Sequence, residues 1–258
     1  MHIGAQLYSV YKHCQNLDDF ALSLKKVADI GYKYVQVSGT CLCESGWLKE
    51  QLQINGLKCA ITHTPEELLL GDINEVIRWH KDIDCQYVGL GYFEFNKKDD
   101  SDYREFVNMY GAAAKAIAAG GLQFMFHNHC DEFKRLPNGN TVIDQMCEDF
   151  TSQELGITAD TFWMQAGGVN PAEWIEKLAG RVPCIHLKDY MMRSWMNRDV
   201  FNYFAPIGEG NINFDAVFQA AEKAGTQYML VEQDDSYGED PFACLKRSYE
   251  YLRSKGFE

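Results

Sequence analysis

Positive charge is scarce in this 258-residue sequence: 24 Lys and Arg stand against 37 Asp and Glu, a formal balance of −13 with histidine neutral. Affinity for nucleic acid comes mainly from cationic side chains that neutralise phosphates, so the deficit argues against a nucleic-acid binder and against docking on anionic membrane. Long apolar runs are missing as well. The opening Met1-His2-Ile3-Gly4-Ala5-Gln6 has no basic stretch leading into an apolar one, as a signal peptide would, so a cytoplasmic protein is expected. The nine cysteines are scattered, odd in number and never spaced Cys-x-x-Cys, which excludes a disulfide framework or a zinc ribbon and leaves reduced thiols packed as small apolar residues. Proline is rare, at 6, while hydrophobic residues reach 46% and aromatics 13%, so the chain can bury a sizeable core. No Gly-x-Gly-x-x-Gly follows the first apolar run, and no Gly-, Pro- or Ser-rich linker divides the chain. A single domain over residues 1–258 is expected.

What is present is an alternation of short apolar runs with longer stretches of helical period. Strands are expected at Ile3 to Tyr8, Tyr34 to Val37, Leu57 to Thr62, Tyr87 to Leu90, Gln123 to Asn128, Glu154 to Ala159, Val182 to Leu187 and Tyr228 to Glu232. Between them, Leu17 to Ile30 puts Phe20, Leu24 and Val27 on one stripe and stops at Gly31; Tyr103 to Ala119 stops at Gly120-Gly121. Asn170-Pro171, Asn213 and Asp240-Pro241 are helix starts, and Ala216 to Ala224 ends at Gly225. Eight strand and helix pairs in this length fit an α/β fold, a (β/α)8 TIM barrel, better than a doubly wound open sheet.

In such a barrel the chemistry sits at the C-terminal ends of the strands. Those positions hold His63 after strand 3, His127, Asn128, His129, Asp131 and Glu132 after strand 5, and Asp160 after strand 6. His186, Lys188 and Asp189 close strand 7, and Glu232, Asp234 and Asp235 close strand 8. Glu132, Asp160, His186 and Glu232 make a hard, anionic ligand set suited to one divalent ion, with Mn²⁺ first and Mg²⁺, Co²⁺ or Zn²⁺ as alternatives. Carboxylates facing one another in a barrel mouth repel unless a cation compensates them.

These residues resemble the sugar phosphate isomerase/epimerase family with the xylose isomerase-like barrel. The matching segments are Gly4-Ala5-Gln6-Leu7-Tyr8-Ser9, Gly31-Tyr32-Lys33-Tyr34-Val35-Gln36-Val37, and Phe126-His127-Asn128-His129-Cys130-Asp131-Glu132-Phe133. They continue with Asp160-Thr161-Phe162-Trp163, His186-Leu187-Lys188-Asp189-Tyr190, Gly208-Glu209-Gly210 and Val231-Glu232-Gln233-Asp234. The resemblance implies a divalent metal on the four residues named above, a carbohydrate substrate and a homodimer. Two positions depart from the pattern. Cys130-Asp131-Glu132-Phe133 stands where the family has Asp-Phe-Glu-Phe, which makes Asp131 a substitute for Glu132, and Trp163 stands where ketohexose epimerases carry a substrate-binding histidine.

The chemistry of this set predicts isomerisation or epimerisation: Glu132 and Glu232 flank one carbon, one removing its proton and the other returning it. Lys188 either holds a developing oxyanion or a substrate hydroxyl, or pairs with Asp189 or Asp160. His63, His127 and Trp163 are expected at the substrate. His127 and His129 point the same way on a strand, so His129 is a candidate base independent of the carboxylates. That feature also fits relatives which cleave 3-keto-glycosides by β-elimination. An abasic-site endonuclease conflicts with the charge, and a non-catalytic sugar-binding protein would not need the full ligand set. Tyr190 to Ile207 is long for a connection between strand and helix, so a lid or a subunit contact is expected there, with Met191, Met192, Trp195 and Met196 apolar and Arg193 and Arg198 free to meet an anion.

Overall fold

Eight parallel strands close on themselves in a computed structural model that describes residues 1–194 and 200–258. The barrel strands are β1 (His2–Gln6), β2 (Tyr34–Val37), β3 (Lys58–His63), β4 (Tyr87–Leu90), β5 (Gln123–His127), β6 (Leu155–Asp160), β7 (Cys184–Leu187) and β10 (Tyr228–Val231). They are hydrogen-bonded in the circular order β1-β10-β7-β6-β5-β4-β3-β2. Each expected strand is present, its ends shifted by a residue or two where the sequence pattern is soft. The register sets the site: Asp160 lies beside His186 across β6 and β7, and Leu230, two residues before Glu232, lies beside His186 across β7 and β10.

Helices α1 (Leu17–Ile30), α2 (Ser45–Ile54), α3 (Glu66–Leu69), α4 (Ile73–Asp82), α5 (Ser101–Ala119), α6 (Val142–Asp149), α7 (Thr161–Ala166), α8 (Pro171–Lys177), α9 (Phe214–Ala224) and α10 (Pro241–Ser254) form the other layer. α1 shows why they form where they do. Asn16 caps its start by accepting the Asp19 N–H at 3.0 Å, Phe20, Leu24 and Val27 are buried on one stripe, and Gly31 ends it at φ 125°. A cap of this kind stabilises by about 1 kcal/mol. Asn170, Asn213 and Asp240 cap α8, α9 and α10 as expected. All nine cysteines are free thiols. Among the described residues no helix is long and apolar enough to cross a membrane.

The stretch expected to be a long loop is an antiparallel hairpin, β8 (Asp189–Ser194) and β9 (Val200–Ala205), outside the barrel. Asp189 anchors its base. This buried carboxylate accepts the backbone N–H groups of Tyr190 (2.8 Å), Gly208 (2.9 Å), Gly210 (2.8 Å) and Ile212 (3.3 Å). Gly210 allows the approach, because a Cβ there would collide with that carboxylate. Trp195, Met196 and Arg198 lie outside the described residues.

Candidate metal centre and active site

The C-terminal ends of the strands surround a cavity of about 490 Å³, whose lining includes Tyr8, Ser38, His63, Thr64, Glu66, Tyr92, His127, His129, Lys188, Glu232 and Asp234. Below its mouth, ligand atoms of His127, Asp160, His186 and Glu232 all lie within 4.8 Å of one another, and all four residues are buried. This cluster could hold a metal ion. It contains three of the four residues expected from the sequence, with His127 in place of Glu132.

The local chain path explains the exchange. β5 ends at His127, so that side chain projects from the strand end itself, whereas Glu132 comes after a turn, within the 3-10 segment Asp131–Phe133. The turn folds Glu132 back on its own loop, where its Oε2 accepts the His129 N–H at 2.8 Å. Glu132 is fully buried, its Oε1 has no partner, and burial pushes its carboxyl up to about 8. It neither joins the cluster nor lines the cavity, so it does not face Glu232 across a substrate carbon as expected. Asp131 does not replace it: its Oδ1 takes the Cys130 thiol at 3.5 Å.

Each imidazole of the cluster has one nitrogen tied down. His127 Nδ1 lies 2.9 Å from the Gly91 carbonyl, which can only accept, so Nδ1 carries the proton and Nε2 is a lone pair. Yet Nε2 faces Asp160 Oδ2 at 3.2 Å. His186 Nε2 donates to Gln36 Oε1 at 2.7 Å, which turns Nδ1 toward Glu232 Oε2 at 2.8 Å and Asp160 Oδ2 at 3.6 Å. The closest of these pairs is not aligned for a hydrogen bond, and both of its atoms are buried without a partner. Burial lowers His186, but Glu232 and Asp160 more than offset it and hold the ring up, at about 9, so in the metal-free protein Nδ1 carries a proton that a metal ion would displace. His127 is lowered by burial and by His186.

Lys188 is the local counter-charge. Its Nζ sits 2.8 Å from Asp234, 3.3 Å from Glu232 and 3.6 Å from Asp160. Of the two expected pairings, the one with Asp160 is present, while Asp189 is occupied with the hairpin. Burial raises Glu232 and Asp160, yet Lys188 and the imidazoles outweigh it and hold both carboxylates below their ordinary range. Burial and Glu232 push Asp234 up, to about 7.

His63 reaches the cavity from the end of β3, its Nδ1 3.1 Å from Ser38 Oγ and its Nε2 buried without a partner. Gly91 makes room for it, since a Cβ there would lie 2.9 Å from that Nδ1. His129 also lines the cavity, with a partnerless Nδ1, and burial together with His127 lowers it to about 3. Trp163 stands behind His129, ring centroids 5.0 Å apart, rather than in the cavity lining. The hairpin contributes Phe204, whose ring centre is 5.3 Å from Lys188 Nζ. Gln36, Ser38 and Thr64 were given no place in the site from the sequence, and Asp234 was noted at the end of strand 8 without a role. Asp234 had a signal in its position at a strand end, while the other three are small or neutral residues whose role depends on what they touch.

A closed parallel barrel with a buried His, Asp and Glu cluster at its C-terminal end defines the class. The model of the xylose isomerase-like TIM barrel family matches residues 24–255, and the chain belongs to that family. A sugar phosphate isomerase/epimerase from Parabacteroides distasonis is 20% identical, with a TM-score of 0.81 over 98% of this chain and 93% of its own. An L-ribulose 3-epimerase is 18% identical, with a TM-score of 0.75 over 98% of this chain and 94% of its own. A xylose isomerase-like TIM barrel protein from Mycobacterium smegmatis, in complex with magnesium, is 15% identical, with a TM-score of 0.74 over 98% of this chain and 95% of its own. At these identities the likeness is one of fold. No curated protein sequence matches the chain.

Proposed function

We propose that the protein is a divalent-metal-dependent sugar isomerase or epimerase, with Mn²⁺ or Mg²⁺ held by His127, Asp160, His186 and Glu232. The observation that carries this reading is the pair of imidazoles, each with one nitrogen fixed on an acceptor and the other aimed at carboxylates. Metal-binding histidines are oriented in this way by their other nitrogen. Charge agrees: Asp160 and Glu232 are buried side by side and are held ionised by Lys188 and a protonated His186, and a divalent cation would take over the place of that imidazole proton. The magnesium complex of a relative of the same fold adds support.

A cation in this position stabilises the negative charge that builds on substrate oxygens when a carbon-bound proton is removed. Glu232 and His129 are the proton-transferring pair, both lining the cavity. Lys188 binds a substrate oxygen, and Asp234 keeps its ammonium in place. His63 donates to a substrate hydroxyl from its free Nε2, and the β8–β9 hairpin shields the site from water through Phe204. A second reading, β-elimination from a 3-keto-glycoside by a His-Asn-His subgroup enzyme, is favoured by one observation: His129 offers a base outside the clustered carboxylates. A panel of ketoses, keto-inositols and 3-keto-glucosides, incubated with Mn²⁺-loaded protein in D₂O and followed by ¹H NMR, separates the two. Exchange at the carbon beside the carbonyl without loss of a group supports isomerisation, release of an aglycone supports elimination, and no exchange with any of them refutes both.

A further inference from the structure

One wall of the cavity is made by Thr64 and Glu66, where β3 runs into α3. Behind it lies a chain of hydrogen bonds. Thr64 Oγ1 is 2.9 Å from Thr62 Oγ1, Thr62 Oγ1 is 2.8 Å from His80 Nε2 in α4, and His80 Nδ1 is 2.7 Å from the Val76 carbonyl. All three side chains are buried.

The far end fixes the direction of every proton in this chain. A carbonyl oxygen only accepts, so His80 Nδ1 carries a hydrogen. Burial keeps the ring neutral, lowering it to about 4, so His80 Nε2 is a lone pair and Thr62 must donate to it. A hydroxyl has one proton. With that proton spent, Thr62 can only accept from Thr64, and Thr64 in turn has only lone pairs left for a ligand. Glu66 has the same polarity, since its carboxylate already accepts the Tyr110 hydroxyl at 2.5 Å.

We propose that the Thr64 and Glu66 wall is a hydroxyl-reading subsite: it accepts hydrogen bonds from free hydroxyl groups of the bound sugar and rejects a phosphate or carboxylate group at that position. The proposal rests on the sugar isomerase reading and narrows it to substrates that are unesterified at the end held by this wall. An acceptor facing the buried Thr64 oxygen leaves both groups unpaired, so the discrimination comes from the rejected ligand as well as from the bond gained.

Two measurements test it. In the ligand-free protein, long-range ¹H–¹⁵N correlation of the histidine rings at neutral pH should find His80 as the Nδ1–H tautomer. An Nε2–H tautomer or an imidazolium would reverse the relay and overturn the subsite. On Mn²⁺-loaded protein, calorimetric titration should show D-fructose and L-ribulose binding at least about tenfold more tightly than their phosphate esters. Thr64→Val should weaken the free ketoses by about three- to tenfold, the worth of one neutral hydrogen bond, and leave the esters unchanged. Thr64→Ser should restore the difference, and Thr62→Val, which releases the Thr64 proton, should narrow it. Equal binding of ketose and ester, an equal effect of Thr64→Val on both, or failure of every free ketose to bind overturns the subsite. Ketose binding with the expected tautomer but without ¹H exchange in D₂O counts against the isomerase reading and leaves the subsite standing.

Discussion

The two ends of the barrel obey different rules. Below the mouth, the packed interior that forms its floor holds Ala60, Ile61, Tyr87, Met125, Cys184 and Leu230, with Tyr34 and Tyr228 packed against them. The tyrosine rings meet at ordinary aromatic distances, 5.1 Å for Tyr34 with Tyr228 and 6.2 Å for Tyr87 with Tyr228. At the mouth the account does not balance. Among the described residues, the buried side-chain polar atoms without a partner belong to Gln6, Gln36, His63, His129, Glu132, Thr158, Trp163, His186, Glu232, Gln233 and Asp234. Every one lies in the C-terminal half of a strand or in the segment that follows it. A buried polar group left unpaired costs about 1–3 kcal/mol, so this end is stabilised by what it binds and the floor by what it packs.

Substitution at the mouth should therefore cost function above all, and substitution at the floor should cost stability alone. Glu232→Gln is expected to lower turnover by about 10²- to 10⁴-fold, the range for losing a proton-transferring group, while the thermal midpoint of the metal-free protein falls, because Lys188 and His186 each lose a buried anionic partner. Steady-state kinetics and a melting curve on the same preparation read both. Leu230→Ala at the floor should leave turnover chemistry in place and cost stability. Loss of a fully buried leucine costs about 2–5 kcal/mol, visible as a lower denaturant midpoint, with Mn²⁺ affinity unchanged. If Leu230→Ala weakened the metal as much as the fold, the two ends would not be independent.

The floor was the easier end to read from sequence. Short apolar runs, a helix stop such as Gly31 and a helix start such as Asn170-Pro171 report backbone geometry directly, and the strands followed from them. At the mouth, residue type was a weaker guide. A carboxylate is the better hard ligand, so Glu132 was favoured over His127, but the deciding quantity was how far beyond the last strand residue each side chain sits. The β8–β9 hairpin escaped for a related reason: it is held by Asp189 on four backbone N–H groups, and its strands do not face the barrel core, so no strand-to-helix rhythm marks them.

That exchange of Glu132 for His127 sets the third prediction. A divalent ion at one hundred times its dissociation constant should stabilise the folded chain by about 2.7 kcal/mol, seen as a rise in thermal midpoint on adding Mn²⁺. The rise should disappear in His127→Ala and persist in Glu132→Gln. The reverse result would restore Glu132 as the ligand and make the contact of His127 with Asp160 a feature of the substrate pocket alone.

Glu132 also gives the smallest and most selective test, because it is a mouth residue with a floor-like environment. Burial holds its carboxyl up at about 8, against an ordinary value of 4.5. Below the ordinary value both folded and unfolded chains keep the proton, and Glu132 contributes nothing to the pH dependence. Between the two values the unfolded chain has lost the proton and the folded chain retains it, so stability falls as pH rises, by up to about 1.4 kcal/mol per pH unit. His80 has the opposite sign: it is held neutral in the fold down to about 4 against an ordinary 6.5, so its contribution falls as pH drops below the ordinary histidine value. The interval from 6.5 to 8 is thus free of His80, and subtracting the denaturant midpoints of Glu132→Gln from those of the unsubstituted chain across it removes the titration of the metal cluster as well. The difference should slope downward with pH. A flat difference would mean that Glu132 is already ionised in the fold, which, for a carboxylate that is fully buried with one oxygen unpaired, requires a cation beside it after all.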